Sequence, residues 1–233
     1  PLKAMYPQGG EKVLIYHVTG EKVPEGKLPL DVGAVVLNCT TISSIARYCR
    51  TGLPLVKKCV TVDGSAVKNP MNVLVPIGMR MKDVFEATGG FKEEPKMVLY
   101  GGPMMGITVP DLEQPILKNT NAILAFGEAE ATPPEPTACI KCGKCIAHCP
   151  LSLMPCEMET AYKKGNIERL MHLKVNLCME CGCCSFICPA HRPLVQTNKL
   201  AKAQVMAYKN ALKAKAEAEK AKLEAEKQKE AAK

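Results

Sequence analysis

Two short stretches of the chain each carry a motif of four regularly spaced cysteines that ends in a proline. The first reads CIKCGKCIAHCP and the second contains CMECGCCSFICP, so both hold the pattern C-x2-C-x2-C-x3-C-P. Thiolates at this spacing can wrap an iron–sulfur cube, and the same run binds [4Fe–4S] clusters in bacterial ferredoxins. The two motifs therefore predict two [4Fe–4S] clusters, a chemistry that moves single electrons and makes no covalent bonds.

The last cysteine of each motif is predicted to belong to the other motif's cluster. In two-cluster ferredoxins the fourth cysteine of a run ligates the opposite cluster, and the proline after it redirects the chain. The predicted ligands of the first cluster are Cys139, Cys142, Cys145 and Cys188. Those of the second cluster are Cys149, Cys178, Cys181 and Cys184. This crossing would join the two halves and bring the clusters close enough for electron transfer between them.

Zinc is the alternative metal for a cysteine-rich segment. Structural zinc sites favour two separated C-x2-C pairs around one tetrahedral ion, without a third cysteine at the same step. The spacing therefore favours iron–sulfur clusters over a zinc-stabilised scaffold without redox chemistry. No residue is predicted to act as a catalytic acid, base or nucleophile. Five further cysteines are predicted to be small buried apolar residues: Cys39, Cys49, Cys59, Cys156 and Cys183.

Composition excludes several classes of function. Ten of the 13 cysteines lie within residues 139–188, which favours local metal binding over a disulfide framework. The net charge is +8, but residues 199–233 supply +5 through ten lysines and five glutamates, and Trp is absent. A nucleic-acid surface is therefore not expected. No stretch approaches the roughly 18 consecutive apolar residues of a membrane helix.

The chain divides into five predicted segments of a multidomain α+β protein. Residues 1–56 mix apolar runs with turn residues, as an α/β domain does. Residues 57–110 follow the order strand, hairpin, strand, helix, strand, which is typical of a β-grasp module. Residues 111–136 form a predicted linker that ends in EATPPEPT, and residues 137–198 are the cysteine-rich domain. Residues 199–233 contain no Gly or Pro and predict a solvated helical tail.

Three local signals predict where elements begin and end. The strand KKCVTVDG ends in an Asp-Gly turn at Gly64, and the helix TISSIARYCRT ends at Gly52. Between the motifs, CEMETAYKK and IERLMHL predict two short helices broken at Gly165, with Asn166 as the N-cap of the second. These helices indicate a helical variety of ferredoxin domain.

The order of these pieces resembles the C subunit of the Rnf electron transport complex. The resemblance rests on YPQGGEKVLIYHVTGEKVPEGKLPLDVG, LNCTTISSIARYCRTGLPLVKKCVTVDG, GGPMMG and the double cysteine motif, followed by the Lys/Ala-rich tail. A similar core occurs in the flavin-binding subunit of respiratory complex I and in a cobalamin reductase. The resemblance implies the C-terminal part of a flavin- and NADH-binding α/β domain in residues 1–56. It also implies a soluble-ligand-binding (SLBB) β-grasp module in residues 57–110.

The resemblance also implies cofactors and partners. FMN contacts would fall on five residues: Gly9, Gly10, Glu11, Asn38 and Thr41. The family has an apolar or small residue and then Gly between the last two, where this chain has Cys39 and Thr40. The family's glycine-rich nucleotide loop does not occur in residues 1–56, and the chain opens with Pro1. We therefore expect a fragment, with NADH binding mostly in an upstream part.

The function implied by the resemblance is electron transfer in a membrane complex. Electrons would pass between NADH, FMN and partner subunits through the two clusters, and the complex would couple this transfer to ion translocation. The chain would lie peripherally on the cytoplasmic side of the cell membrane. A soluble flavin and iron–sulfur reductase, such as a cobalamin reductase, is the alternative.

Overall fold

The computed structural model describes the backbone of residues 1–231 and the side chains of residues 1–220. The chain divides into two units, Pro1–Glu135 and Pro136–Lys233. The division falls in the proline-rich segment TPPEPT, next to the predicted start of the cysteine-rich domain. The last two residues of the predicted tail, 232 and 233, lie outside the described residues.

The first 56 residues fold as helices and irregular segments. Helix α1 spans Glu11–Thr19, a 3-10 turn spans Pro29–Val32, and helix α2 spans Cys39–Thr51. Gly52 follows α2 in the left-handed conformation, with φ 68°, as the sequence predicted. Residues 1–56 are all described and none of them is in a strand, so the predicted end of an α/β domain contributes only helices and irregular segments here. The apolar residues 34–37 are extended between the 3-10 turn and α2 and belong to no strand.

One five-stranded sheet forms the centre of the rest of the first unit. Its strands are β1 Lys57–Asp63, β2 Met71–Pro76, β3 Met97–Tyr100, β4 Ile107–Thr108 and β5 Ala122–Phe126. The spatial order is β2-β1-β5-β3-β4, with β1 and β5 parallel and the other pairs antiparallel. Helix α3 spans Met81–Ala87, and the short helix α4 spans Glu128–Ala131.

The prediction that residues 111–136 form a linker is wrong for most of their length. Strand β5 lies inside this range and pairs with both β1 and β3, at the middle of the sheet. Its sequence AILAF is a short apolar run with three buried central residues, which suits a strand covered on both faces. The true connection between the units is the proline-rich end of this segment.

Buried and exposed residues alternate along β1, and its buried side chains form part of the core of the first unit. Val60 and Val62 point inward and are fully buried, while Lys57 and Asp63 are exposed. Helix α3 packs Met81 and other apolar side chains onto the same core. The burial of large apolar residues contributes roughly 1.5–3 kcal/mol each relative to exposure.

The second unit is helical. Its elements are α5 Lys144–Ala147, α6 Pro155–Lys163, α7 Ile167–His172, a 3-10 turn Val175–Leu177, α8 Cys183–Phe186 and α9 Leu194–Ala231. Gly165 separates α6 from α7, and the Asn166 side chain accepts a hydrogen bond from the Arg169 amide at 2.8 Å. The predicted pair of helices and its N-cap are therefore confirmed.

Helices α6, α7 and α9 enclose a separate apolar core, centred on Met158, Leu170, Val175 and Val205. This core supports the loops that carry the cysteines. Within the described part of the chain, no helix is both long enough and apolar enough to cross a membrane.

Candidate metal centres

The loops of the two cysteine motifs share one backbone conformation. The second residue after the first cysteine is left-handed in both loops, at Lys141 (φ 54°) and Glu180 (φ 60°). The residue after the second cysteine is a left-handed glycine in both, Gly143 (φ 73°) and Gly182 (φ 83°). Left-handed residues alternating with right-handed ones turn successive backbone N–H groups to one side, which forms a concavity suited to an anion. Each loop can therefore surround a negatively charged centre.

Short helices place the third cysteine of each motif. Helix α5 begins after Gly143 and carries Cys145, and helix α8 begins after Gly182 and carries Cys184. Both thiols are buried, with 8% and 7% of the residue exposed. They belong to the same apolar cluster, together with Leu194 of α9.

One cavity of the second unit is lined by five cysteines. Four of them are the predicted ligands of the second cluster, and the fifth is the neighbouring Cys183: Cys149, Cys178, Cys181, Cys183 and Cys184. Cys149 comes from the first motif and the others from the second. Leu153 and Val195 contribute apolar walls, so the cavity combines thiols with a low-dielectric lining. The fold thus places the last cysteine of one motif beside the three cysteines of the other.

Three thiols of this cavity, those of Cys178, Cys181 and Cys184, have raised pKa values, first of all because they are buried. Burial raises the pKa of Cys184 to about 12, and the nearby thiols of Cys178, Cys181 and Cys149 add to the rise. Burial also raises the pKa of Cys178. Several thiolates cannot accumulate in such a place without a compensating cation. Metal binding would supply that charge and release the protons.

The predicted ligands of the first cluster are more open to solvent. Cys139 and Cys142 are exposed, whereas Cys145 is buried and Cys188 is half-buried. Burial raises the pKa of Cys145 to about 11, and the neighbouring Cys156 contributes to the rise. Among the described side chains, those of residues 1–220, no three of His, Cys, Asp or Glu converge closely enough to hold a metal ion as they lie. Cys145 and Cys188 belong to one apolar cluster, and Cys139 lies close enough to Cys145 to contribute to the rise of its pKa.

A buried ion pair lies beside the first motif. Arg192 donates to both carboxylate oxygens of Glu159, at 2.7 and 2.6 Å, and to the Thr137 carbonyl at 2.8 Å. The guanidinium also interacts with Cys139 and Cys188, one from each motif. Burial opposes ionisation of Glu159, but Arg192 and then Lys163 hold its pKa below the usual value. The pair fixes Arg192 where its positive charge faces two predicted ligands.

The remaining cysteines only partly follow the sequence prediction. Cys39, Cys49 and Cys59 are exposed, so the prediction that they are buried apolar residues is wrong. Cys156 and Cys183 are half-buried, and both lie beside predicted ligands. The tandem pair Cys183-Cys184 was the available signal for a fifth thiol at the second centre.

The residues predicted to contact FMN lie at two helix starts of the first unit. Gly10 is the N-cap of α1 and Glu11 is its first residue, after Gly9. Asn38 caps α2, accepting a hydrogen bond from the Thr40 amide at 2.9 Å. A cleft lies beside the second of these helix starts.

Eight residues line this cleft: Asn38, Thr40, Thr41, Leu55, Lys58, Lys118, Asn119 and Asn121. Within the described residues, the lining includes two of the predicted FMN contacts and none of the three on α1. Lys58 is buried and donates to the Lys118 carbonyl at 2.6 Å. Its burial, and then the charge of Lys118, lower its pKa. The lining of the cleft thus includes two lysines, Lys58 and Lys118.

Two family models match successive parts of the first unit. Residues 1–47 match the Nuo51 FMN-binding domain, and residues 59–108 match the SLBB domain. The second range covers strands β1 to β4. The prediction of an SLBB-like module after the end of a flavin domain is supported by both matches.

Curated relatives match across both units. The C subunit of the Na(+)-translocating ferredoxin:NAD(+) oxidoreductase complex of Acetobacterium woodii is 41% identical over 206 residues, 88% of this chain and 46% of the relative. The C subunit of the proton-translocating complex of Clostridium ljungdahlii is 44% identical over 154 residues, 66% of this chain and 34% of the relative. The C subunit of the ion-translocating oxidoreductase complex of Rhodobacter capsulatus is 37% identical over 200 residues, 86% of this chain and 38% of the relative.

The chain is a relative of these C subunits. The resemblance inferred from the motifs is confirmed, and it covers nearly the whole described chain. The chain spans less than half the length of these three relatives.

Proposed function

We propose that the second unit holds two [4Fe–4S] clusters with crossed ligands. Cys139, Cys142, Cys145 and Cys188 would bind the first, and Cys149, Cys178, Cys181 and Cys184 the second. The observation that carries this proposal is the cavity in which Cys149 of the first motif lies among the cysteines of the second. A zinc scaffold built from separate C-x2-C pairs would not require that crossing.

The surroundings of the cysteines fit anionic clusters. Left-handed residues recur at the same positions of both loops, and the Leu153 amide donates to the Cys149 sulfur at 3.3 Å. Arg192 faces Cys139 and Cys188. Hydrogen bonds to sulfur and nearby positive charge both stabilise a cluster with four thiolate ligands.

The chemistry supplied by such clusters is the uptake and release of one electron each. The chain's own part is to hold both sites in one rigid helical unit. Its apolar core at Met158 and Leu170 packs against Cys149 and Cys178, and the crossed cysteines would keep the two loops together. No side chain of these loops needs to transfer a proton for this function.

We further propose that the whole protein is an electron-transfer subunit of a membrane-associated, ion-translocating ferredoxin:NAD(+) oxidoreductase complex. The relatives are named as C subunits of such complexes, and residues 1–47 match an FMN-binding domain. Electrons would pass between NADH, FMN and partner subunits by way of the two clusters. The chain would bind peripherally on the cytoplasmic side of the membrane. The relatives favour this function over that of a soluble cobalamin reductase.

Anaerobic purification and metal analysis test the cluster proposal. The full chain should contain about eight irons and eight acid-labile sulfides, and its broad visible absorption should bleach when dithionite is added. A colourless protein that contains zinc at both motifs would contradict the proposal.

A further inference from the structure

The two cysteine motifs begin a longer repeat that continues into the following helices. Helix α6 follows the first motif and α9 follows the second. When the motifs are aligned, Glu159 of α6 takes the same position as Asn198 of α9, and Lys163 takes the position of Lys202. Glu159 and Asn198 are 3% and 1% exposed. Each candidate centre therefore has one buried polar side chain at an equivalent place.

The two buried side chains make different contacts. Glu159 binds Arg192 through both carboxylate oxygens. Asn198 lines the five-cysteine cavity, and its amide Nδ2 lies 3.7 Å from the Cys178 sulfur, within hydrogen-bonding range for sulfur. The amide of Asn198 is thus directed at a predicted ligand of the second cluster.

Stability alone does not account for Asn198. Its carbonyl oxygen Oδ1 is buried and has no hydrogen-bond partner in the described part of the chain. A buried unsatisfied carbonyl costs free energy, and an apolar residue of similar size would avoid that cost. A hydrogen bond from the Asn198 N–H group to the neighbouring sulfur would offset that cost.

Neighbouring contacts hold the Cys178 sulfur and the Asn198 amide close to each other. Lys202, one turn after Asn198 on α9, donates to the Cys178 carbonyl at 3.0 Å and forms an ion pair with Glu180 in the same loop. The loop that carries Cys178 is therefore fastened to the helix that carries Asn198. Such a fixed donor is what a tuned hydrogen bond to sulfur requires.

We propose that Asn198 is a positioning residue that donates an N–H···S hydrogen bond to Cys178 and raises the reduction potential of the second centre. This inference rests on the proposed cluster at Cys149, Cys178, Cys181 and Cys184. Reduction adds one electron to the centre, and no covalent bond forms or breaks. The added negative charge strengthens the hydrogen bond, so the reduced form gains more from it than the oxidised form does.

The test is a redox titration of the full chain, followed by electron paramagnetic resonance, with dithionite as the reductant. Asn198→Leu removes the donor at similar volume. At a fixed potential, the ratio of reduced to oxidised second centre should fall about threefold to tenfold, as expected for one hydrogen bond. The second centre is recognised as the signal that Cys149→Ser abolishes. An unchanged ratio in an Asn198→Leu protein with full iron content would overturn the proposal.

A neighbouring substitution provides the control. Thr197 is also buried, but its hydroxyl donates to the Pro193 carbonyl at 3.0 Å and not to a sulfur. Thr197→Val should leave both centres at the parent potentials. An equal shift in Thr197→Val would show that any change in this turn of α9 moves the potential, which would overturn the specific role of Asn198.

A second measurement on the unsubstituted chain covers the case in which Asn198→Leu fails to assemble. With ¹⁵N-labelled asparagine, pulsed electron paramagnetic resonance should detect nitrogen coupled to the reduced second centre. Lack of that coupling would overturn the proposal. Failure of the proposed function looks different, because the parent chain would then contain no iron and give no cluster signal.

Discussion

At the scale of single residues, the crossing of the last cysteines makes the sharpest prediction. Cys149→Ser should remove the second cluster and leave the first comparatively intact, since Cys149 lies among the cysteines of the second motif. Cys188→Ser should have the reciprocal effect. Iron content should fall by about half in each variant. Loss of the first cluster alone in Cys149→Ser would contradict the crossed assignment.

Arg192 makes a second prediction at the residue scale. Arg192→Met leaves the buried Glu159 carboxylate with only Lys163 at 3.0 Å, so the free energy of unfolding of the second unit should fall by about 3 kcal/mol. Urea denaturation of the anaerobic protein measures this change.

Lys163→Met is the matched control for Arg192→Met. The Lys163 side chain is 60% exposed, so its substitution should cost less than about 1 kcal/mol. If the two variants lose the same free energy of unfolding, the ion pair between Arg192 and Glu159 does not contribute more to stability than the one between Lys163 and Glu159.

Sequence reasoning reached the motif cysteines but not their supporting residues. The motifs are local patterns, so their spacing can be read directly from the chain. Asn198 and Arg192 act on cysteines brought close to them by tertiary packing, and no local pattern marks such contacts. Alignment of the two repeats beyond their prolines would have pointed to Asn198 and Glu159 as equivalent positions.

At the scale of elements, the turn after β1 predicts a strong dependence on glycine. Gly64 has φ 117°, and a Cβ added there would lie 2.1 Å from the Ala125 carbonyl oxygen in β5. Gly64→Ala should therefore lower the free energy of unfolding of the first unit by about 1–3 kcal/mol or more. Denaturation followed by circular dichroism tests this.

Gly102→Ala, in the segment after β3, is the control for Gly64→Ala. Gly102 lies in an ordinary backbone conformation, and no atom would come within 4 Å of its added Cβ. Its substitution should leave the unfolding transition close to that of the parent. If both alanine variants unfold alike, the close approach between the turn and β5 is not a constraint on stability.

Long-range strand pairing explains why β5 was not predicted from the sequence. Helices α2, α6 and α7 have boundary residues at Gly52, Gly165 and Asn166, which act within a single turn of helix. Strand β5 is only five residues long and comes after the apparent end of the module. Its place between β1 and β3 depends on pairing with strands far away in the sequence, which periodicity does not report.

At the scale of the whole molecule, each unit has its own core, and the proline-rich segment connects them. The first unit matches flavin and SLBB domain models, and the second gathers the cysteines. The proposed flavin chemistry and the proposed electron relay therefore fall in different units of the chain.

The proposed membership of a membrane complex is tested by purifying the native assembly. An affinity tag on the chain, with mild detergent extraction of membranes, should recover integral membrane proteins in fixed proportion to it. Such recovery is expected if the chain is held in the complex by contacts with integral membrane subunits. A Cys149→Ser chain should still assemble if the contacts are structural, but its complex should lose NADH-dependent ferredoxin reduction because the second cluster is missing. Recovery of the native chain free of membrane proteins, with NADH-linked reductase activity, would favour the soluble reductase instead.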